Sequence, residues 1–430
     1  MNYIVPKFIP VDNAAQIFVS INSRKETTMS RISLTLKTPV NLELLNKALA
    51  KIIKAFPFFQ VYLKKHFFNY VFERTLDIPI IEKDTKWTNR YINFEQNNFP
   101  FKIKVLGNTI ALEMSHIISD GYGTLSFLLS LTSEYLRSLN YKIGDSPLIK
   151  KPGDITIPEE WQCAFRKKFP KKGPSLKINK SAYIPKGKMI PITKYYSTRI
   201  VMDLEKVRSL ARNMKATLNV YIAAVYAFAI QGLLKEDIKS GTAKKSLPIR
   251  LQIPVNMRKY YPSKILRNFS YLYSPTFAIT EKDLTFNELV EKISFDIRHE
   301  RHSGSIENQI SRNLRAENNI FFKLLPRIIK TLLFRIFYHI FARSQYSGVL
   351  TNMGDIQIPE GMKNEISSFD IIPCNSPVPG RNTALFSYKG KLELNVGSSC
   401  SNLRLENKII EKLKELSIEN KVIYKRNNLN

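Results

Sequence analysis

The chain has 430 residues, 44% hydrophobic and 24% charged, which supports packed cores and excludes a disordered or low-complexity protein. That length exceeds what one core usually serves, so two domains of roughly 200 residues are expected. The formal charge of +30, from 66 Lys and Arg against 36 Asp and Glu, concentrates anions near the surface, but much of the excess is Lys scattered along the chain, so charge alone selects no partner.

Met29 to Leu36 (MSRISLTL) alternates apolar and polar side chains and predicts a strand. Leu42, Leu45, Leu49, Ile52, Ile53 and Phe56 follow at helical spacing from Asn41, and Pro57 stops the helix. Phe58 to Leu63 and Phe67 to Phe72 read as strands joined by a Lys-Lys-His turn. Phe101 to Leu106 and Thr109 to Met114 form a hairpin around Gly107-Asn108. His116 therefore lies just past a strand, and a helix is expected from Thr124 to about Leu136. A strand-to-helix turn holds a side chain rigidly yet exposed.

Between Asp145 and Pro191 Pro, Gly and Lys become frequent and periodicity fades, which indicates a crossover between lobes. Arg166-Lys167-Lys168 and Lys171-Lys172 form its densest basic patch; in a linker such a run is usually just solvated. The second half opens with a strand over Tyr195 to Met202 and a helix over Asp203 to Met214. Thr217 then caps an apolar helix over Leu218 to Leu233. Strands are expected over Leu247 to Val255 and Tyr271 to Ile279, with a helix over Thr285 to Arg301. Short strands follow around Gly348, Ile366 to Pro373, Ala384 to Tyr388 and Leu392 to Gly397, before a last helix over Leu405 to Leu416. Strands and helices alternate in both halves, which predicts two layered α/β lobes: residues 1–150, a crossover over 151–191, and residues 192–430.

Ile320 to Ala342 is very apolar but is interrupted by Lys323, Arg327, Lys330 and Arg335. Two readings fit: a basic amphipathic helix on a membrane surface, or a core-packing helix with a basic outer edge, which is the preferred expectation. Nowhere do ~18 uncharged apolar residues run together, so no spanning helix is expected. The start of the chain lacks the apolar stretch of a signal peptide. Cys163, Cys374 and Cys400 are far apart and form no disulfide framework or metal-ligand pattern, which suits a reducing compartment. A cytoplasmic protein is the expectation.

Chemistry concentrates in Ser115-His116-Ile117-Ile118-Ser119-Asp120-Gly121. Imidazole is the side chain best matched to proton transfer near neutrality, and beside an attacking hydroxyl, amine or thiol it contributes ~10²–10⁴-fold in rate. A carboxylate four residues later braces such a loop by pairing with an Arg. Gly121 permits a tight turn or a positive φ. The ordinary alternative for His116 is a satisfied histidine at a strand end. His66, His299, His302 and His339 fall on a turn or on amphipathic helices. His299 and His302 share a helical face, but nothing completes a metal site around them. No metal is expected.

The segment resembles the active-site motif of the His-His-x-x-x-Asp-Gly acyltransferase superfamily, which includes chloramphenicol acetyltransferase, peptide-synthetase condensation domains and alcohol acetyltransferases. The similarity extends to the Arg31-Ile32-Ser33-Leu34-Thr35-Leu36 strand, the Leu42 to Phe56 helix and Phe58-Phe59-Gln60-Val61. It continues through Pro254-Val255-Asn256-Met257-Arg258, Leu266-Arg267-Asn268-Phe269 and Thr351-Asn352-Met353-Gly354. These pieces span nearly the whole chain in the expected order and are most similar to bacterial alcohol-acetyltransferase-like proteins. The resemblance implies two chloramphenicol-acetyltransferase-like lobes with mixed sheets, flanking helices and an active-site tunnel between them. It implies His116 as general base, Asp120 as a structural residue with Arg258 as its candidate partner, and Thr351 or Asn352 near the tetrahedral oxyanion. Ordinary surface and turn roles stand beside these last three assignments.

The implied reaction passes an acyl group from a thioester, with acyl-CoA as cosubstrate and no bound cofactor, to a small-molecule alcohol or amine. A carrier protein is an alternative donor, and peripheral membrane contact stays open. Ser115 stands where the family has its first His. The plant-type Asp-Phe-Gly-Trp-Gly motif is absent, as is a carrier domain with a phosphopantetheine serine. One rival reading is an inactive relative that binds a carrier protein or lipid. Nucleic-acid binding is disfavoured because no basic-aromatic interleaving or known module is present.

Overall fold

Side-chain alternation, helix caps and glycine turns set the local structure. The computed structural model describes residues 5–24, 26–85, 88–163, 165–166, 169, 180–190, 195–244, 246–278, 283–375 and 382–426. Strands of the first half are β1 (Phe8–Pro10), β2 (Met29–Leu36), β3 (Val61–Lys65), β4 (Tyr70–Arg74), β5 (Ile81–Lys83), β6 (Phe101–Leu106) and β7 (Thr109–Ser115). Asn41 caps the Leu42–Ile52 helix, accepting from the Leu44 amide at 3.0 Å. Gly107 takes a φ of +57° and closes the β6–β7 hairpin.

The second half contributes β8 (Tyr196–Asp203), β9 (Ile249–Asn256), β10 (Ser270–Tyr273), β11 (Thr276–Phe277) and β12 (Gly348–Asp355). It continues with β13 (Ile366–Ile372), β14 (Asn382–Tyr388), β15 (Lys391–Ser398) and β16 (Asn420–Arg426). Thr217 caps the Leu218–Lys239 helix through the Val220 amide at 3.2 Å. That helix is long and apolar enough to cross a bilayer, but it forms the centre of the second core, with Ala223, Ala224, Val225 and Tyr226 all fully buried. Its charges fall in its last turns, which lets the rest pack on every side.

Among the described residues three sheets form, ordered β1-β4-β3, β13-β2-β7-β6-β5, and β10-β9-β12-β14-β15-β8-β16 with β11 also on β9. Two cores result as well, one under β2, β6 and β7 and one around the Leu218–Lys239 helix. The molecule is thus a mixed α/β protein of two sheet-and-helix lobes. Sequence order and lobe membership part company at one strand. β13, expected with the second lobe, pairs antiparallel with β2 (Phe369 opposite Leu34, Ile371 opposite Ile32) and completes the first sheet. Its residues Ile366, Phe369 and Ile371 bury into the first core. Asn395 of β15 reaches across to Asp370 Oδ1 (3.0 Å) and the Ile371 carbonyl (2.6 Å), joining the lobes.

Two further differences concern helices. An Asn13–Ile21 helix, capped by Asp12, precedes β2, and a Ser305–Asn318 helix follows Phe286–His302; neither was legible as a helix. Ile320 to Ala342 overturns the preferred reading of a core-packing helix. It folds as Ile320–Leu324, Arg327–Phe337 and a wider turn over Tyr338–Arg343, and its apolar face points outward, with Phe321 79% and Ile328 71% exposed. The one fully buried residue of the Arg327–Phe337 helix is instead Lys330. Of the basic patch in the crossover, Lys167, Lys168, Lys171 and Lys172 lie outside the described residues.

Candidate active site at the lobe junction

β7 ends at Ser115, and the loop behind it is fixed almost atom by atom. Ser115 Oγ pairs with Thr28 Oγ1 at 2.7 Å and accepts from the Ile117 amide at 3.2 Å. The His116 amide donates to the Thr28 carbonyl at 2.9 Å. Ile117 and Ile118 are buried in the first core, and Ser119 Oγ donates to the Leu266 carbonyl at 2.6 Å, across the lobes. Among residues 115–120, His116 alone is not buried. The loop is anchored on both sides, and His116 is its one half-buried residue.

Asp120 has two tasks. Its Oδ1 accepts from the Tyr122 and Gly123 amides at 3.1 and 3.2 Å, capping the Gly121–Ser138 helix; the cap starts that helix one turn earlier than the apolar pattern suggested. Its Oδ2 accepts from Arg258 Nη1 at 2.8 Å and the Phe269 amide at 3.0 Å, and Arg258 Nη2 lies 3.4 Å from Oδ1. Arg258 is otherwise saturated, donating to the Ile265 carbonyl (2.9 Å), the Arg267 carbonyl (2.7 Å) and Asn256 Oδ1 (3.1 Å). Its guanidinium lies 4.3 Å from the centre of the Tyr122 ring. Both carboxylate oxygens of Asp120 are engaged by the helix start, Arg258 and the Phe269 amide rather than by the imidazole.

Gly121 opens the helix without a positive φ, so of the two conformations its residue type permits the left-handed one is not used. A Cβ there would come within 2.5 Å of Met353 Sδ, so the glycine makes room for the end of the Met353 side chain of β12. Gly123 is more constrained, since a Cβ would lie 2.2 Å from Ser119 Oγ and 2.4 Å from the Leu266 carbonyl.

Three residues around the imidazole were assigned no role from the sequence. Phe18 of the unforeseen Asn13–Ile21 helix stacks on it, ring centres 5.4 Å apart and planes at 28°. Asn268 donates to the His116 carbonyl at 2.7 Å, which turns its Oδ1 toward His116 Nδ1 at 3.4 Å. With the proton on Nδ1, the neutral ring presents its lone pair on Nε2. Cys374, just past β13, is the third. Burial opposes charge on the ring, but the charge and hydrogen bonding of Cys374, the hydrogen bond to Asn268 and the charge of Asp120 outweigh it and raise the pKa to about 9. The Cys374 contribution exists only while its sulfur is ionised. Asn268 was visible as part of a matching segment; Phe18 and Cys374 gave no signal, because a helix start and a strand end far apart in sequence bring them there.

Thr351 and Asn352 lie on β12, where a bulge separates Asn352 from Gly354 in the pairing with β14. Asn352 accepts from the Gly354 amide at 2.7 Å and donates to Asn219 at 3.4 Å. The contact of this strand with the motif runs through Met353 at Gly121. A cavity of ≈ 670 Å³ lies elsewhere, lined by Val5, Lys51, Lys54 and Arg74 among others, and includes no motif residue. Among the described residues, no group of three or more His, Cys, Asp or Glu is placed to hold a metal.

No family model and no curated sequence matches this chain. Solved structures do. Polyketide synthase associated protein 5 from Mycobacterium tuberculosis superposes with a TM-score of 0.62 at 14% identity, over 94% of this chain and 97% of that one. F. graminearum TRI101, solved with coenzyme A and deoxynivalenol, gives 0.61 at 11% identity, over 97% and 99%. The wax ester synthase/diacylglycerol acyltransferase from Marinobacter aquaeolei VT8 gives 0.53 at 12% identity, over 95% and 98%. Over nearly its full length, the chain therefore has the two-lobed fold found in coenzyme A-binding and acyl-transferring proteins.

Proposed function

We propose that this protein is an acyltransferase that moves an acyl group from acyl-CoA, or a carrier-bound thioester of the same chemistry, to an alcohol or amine. One observation carries the reading: His116, half-buried, on a loop otherwise buried and braced by the Asp120–Arg258 pair. In this reading Nε2 of His116 takes the proton of the acceptor O–H or N–H as that atom attacks the thioester carbonyl. The new C–O or C–N bond forms, and negative charge gathers on the former carbonyl oxygen, with Thr351 or Asn352 assigned to its neighbourhood. Collapse breaks the C–S bond, and the departing thiolate takes the proton back from the imidazolium. Substrates meet in a channel between the lobes, and the excess of positive charge favours the phosphates of CoA. The fold shared with TRI101 and with the wax ester synthase supports the same class of reaction.

The test is thiol release from a panel of acyl-CoA donors with alcohol and amine acceptors. Turnover by the wild type that falls ~10²-fold or more in His116→Ala is expected. Turnover indifferent to that substitution, or none with any pair, would overturn the proposal.

A further inference from the structure

From Asn319 to Gln345 the chain has no Asp or Glu, against Lys323, Arg327, Lys330, Arg335 and Arg343. Ile328, Leu332, Ile336 and Ile340 recur every fourth residue, and all four are exposed, as are Phe321 and Leu324 just before them. Helical spacing thus gathers the apolar residues on one stripe, and the structure turns that stripe to the outside.

The outward orientation is enforced. Lys330 Nζ is buried and donates to the Phe68 carbonyl (3.0 Å), Asn69 Oδ1 (3.0 Å) and the Lys323 carbonyl (2.8 Å). Arg335 Nε donates to the Ser20 carbonyl at 2.6 Å. The Arg327 amide and Nε take the Phe67 and His66 carbonyls at 2.9 and 3.1 Å. These cations fasten the polar side of the helix to the β3–β4 hairpin and to the Asn13–Ile21 helix. The same fastening places the hairpin tip beside the stripe, where Phe67 is 72% exposed and stacks edge-on against the exposed Phe68. A soluble monomer rarely shows so continuous an apolar face.

We infer that this face, the Ile320–Ile340 stripe with the Phe67–Phe68 tip, docks the protein on an anionic lipid bilayer. The stripe enters the acyl boundary as an in-plane amphipathic helix does, and the aromatic tip sits at headgroup level. Charge decides between lipid and a second copy. Two such segments, each carrying Lys323, Arg327, Lys330, Arg335 and Arg343 without a carboxylate, repel one another. Because the inward cations bond carbonyl or amide oxygens rather than carboxylates, their charge is not cancelled, whereas anionic headgroups neutralise it. The inference stands independently of the acyl-transfer reading.

Full-length protein sedimented with phosphatidylcholine vesicles, with or without phosphatidylglycerol, tests it. Wild type is expected to partition onto the anionic vesicles, less onto the neutral ones, and less at raised salt. Ile328→Glu/Leu332→Glu should lower partitioning at least about tenfold with an unchanged melting temperature, since both positions are exposed. Phe67→Ser/Phe68→Ser, on a separate segment, should also lower it. Wild type remaining in the supernatant, or the helix variant partitioning as wild type does, would overturn the inference. So would a wild-type oligomer that the helix variant dissociates while vesicle binding persists.

Discussion

Arg258→Met removes the cation that Asp120 faces while keeping an apolar stem over Tyr122. In the native protein the two side chains are 6% and 10% exposed and joined at 2.8 Å. Removing one partner leaves the carboxylate with only the Tyr122, Gly123 and Phe269 amides, and it also frees the Ile265 and Arg267 carbonyls that Arg258 had satisfied. Breaking a buried pair from one side costs about 3–5 kcal/mol. That is a large part of a typical 5–15 kcal/mol of stability, yet small enough to leave a folded population. Urea unfolding at pH 7 should show that loss for Arg258→Met and a similar one for Asp120→Asn, which strands the guanidinium instead. The double variant should cost clearly less than the sum, with a coupling of at least about 2 kcal/mol. Thiol release by the folded fraction should fall in each single variant, while its dependence on pH remains that of one imidazole, moved to lower pH in Asp120→Asn by loss of the carboxylate charge. Additive costs below about 1 kcal/mol each would refute the bracing role. A pH dependence that vanishes in Asp120→Asn would make the carboxylate, rather than the imidazole, the proton acceptor.

Where Cys374 is ionised the pKa of His116 is raised to about 9, and in that state only about one ring in a hundred is neutral at pH 7. The kcat/KM of acyl transfer should therefore climb about tenfold per pH unit and level off near pH 9; a profile flat from pH 6 to 9 contradicts the assignment. Cys374→Ala removes the largest upward contribution, so burial dominates and the rising limb should move to lower pH by more than about one unit; a limb that stays in place means Cys374 does not set the ring's charge. Gly123→Ala must push the helix start off the Leu266 carbonyl, and denaturant titration should show a loss of about 2 kcal/mol or more. Glu406 is buried, and burial raises its pKa from 4.5 to about 7. Its neutral form is the one the fold favours, so stability is lost as pH rises from 4.5 and the penalty is complete above 7. Glu406→Gln should gain up to about 3 kcal/mol at pH 8 and almost nothing at pH 4, by thermal unfolding.

Local patterns determined much of this protein by themselves. Alternation at Met29–Leu36, the Gly107-Asn108 turn and the spacing after Asn41 and Thr217 are short-range steric and burial preferences, and each appears where its residues place it. The His116–Gly121 segment was legible for the same reason, because its spacing is local. Contacts between segments distant in sequence were decided only by the tertiary structure. β13 joins the first sheet although it follows the second lobe's strands, because edge pairing with β2 buries Ile366, Phe369 and Ile371. Phe18, Asn268 and Cys374 converge on one imidazole from three parts of the chain. The Arg327–Phe337 helix marks the limit most plainly. Its period announced an amphipathic helix, but periodicity is the same whichever face turns inward, and the orientation was set by carbonyls of the hairpin and of a neighbouring helix that bind Lys330 and Arg335.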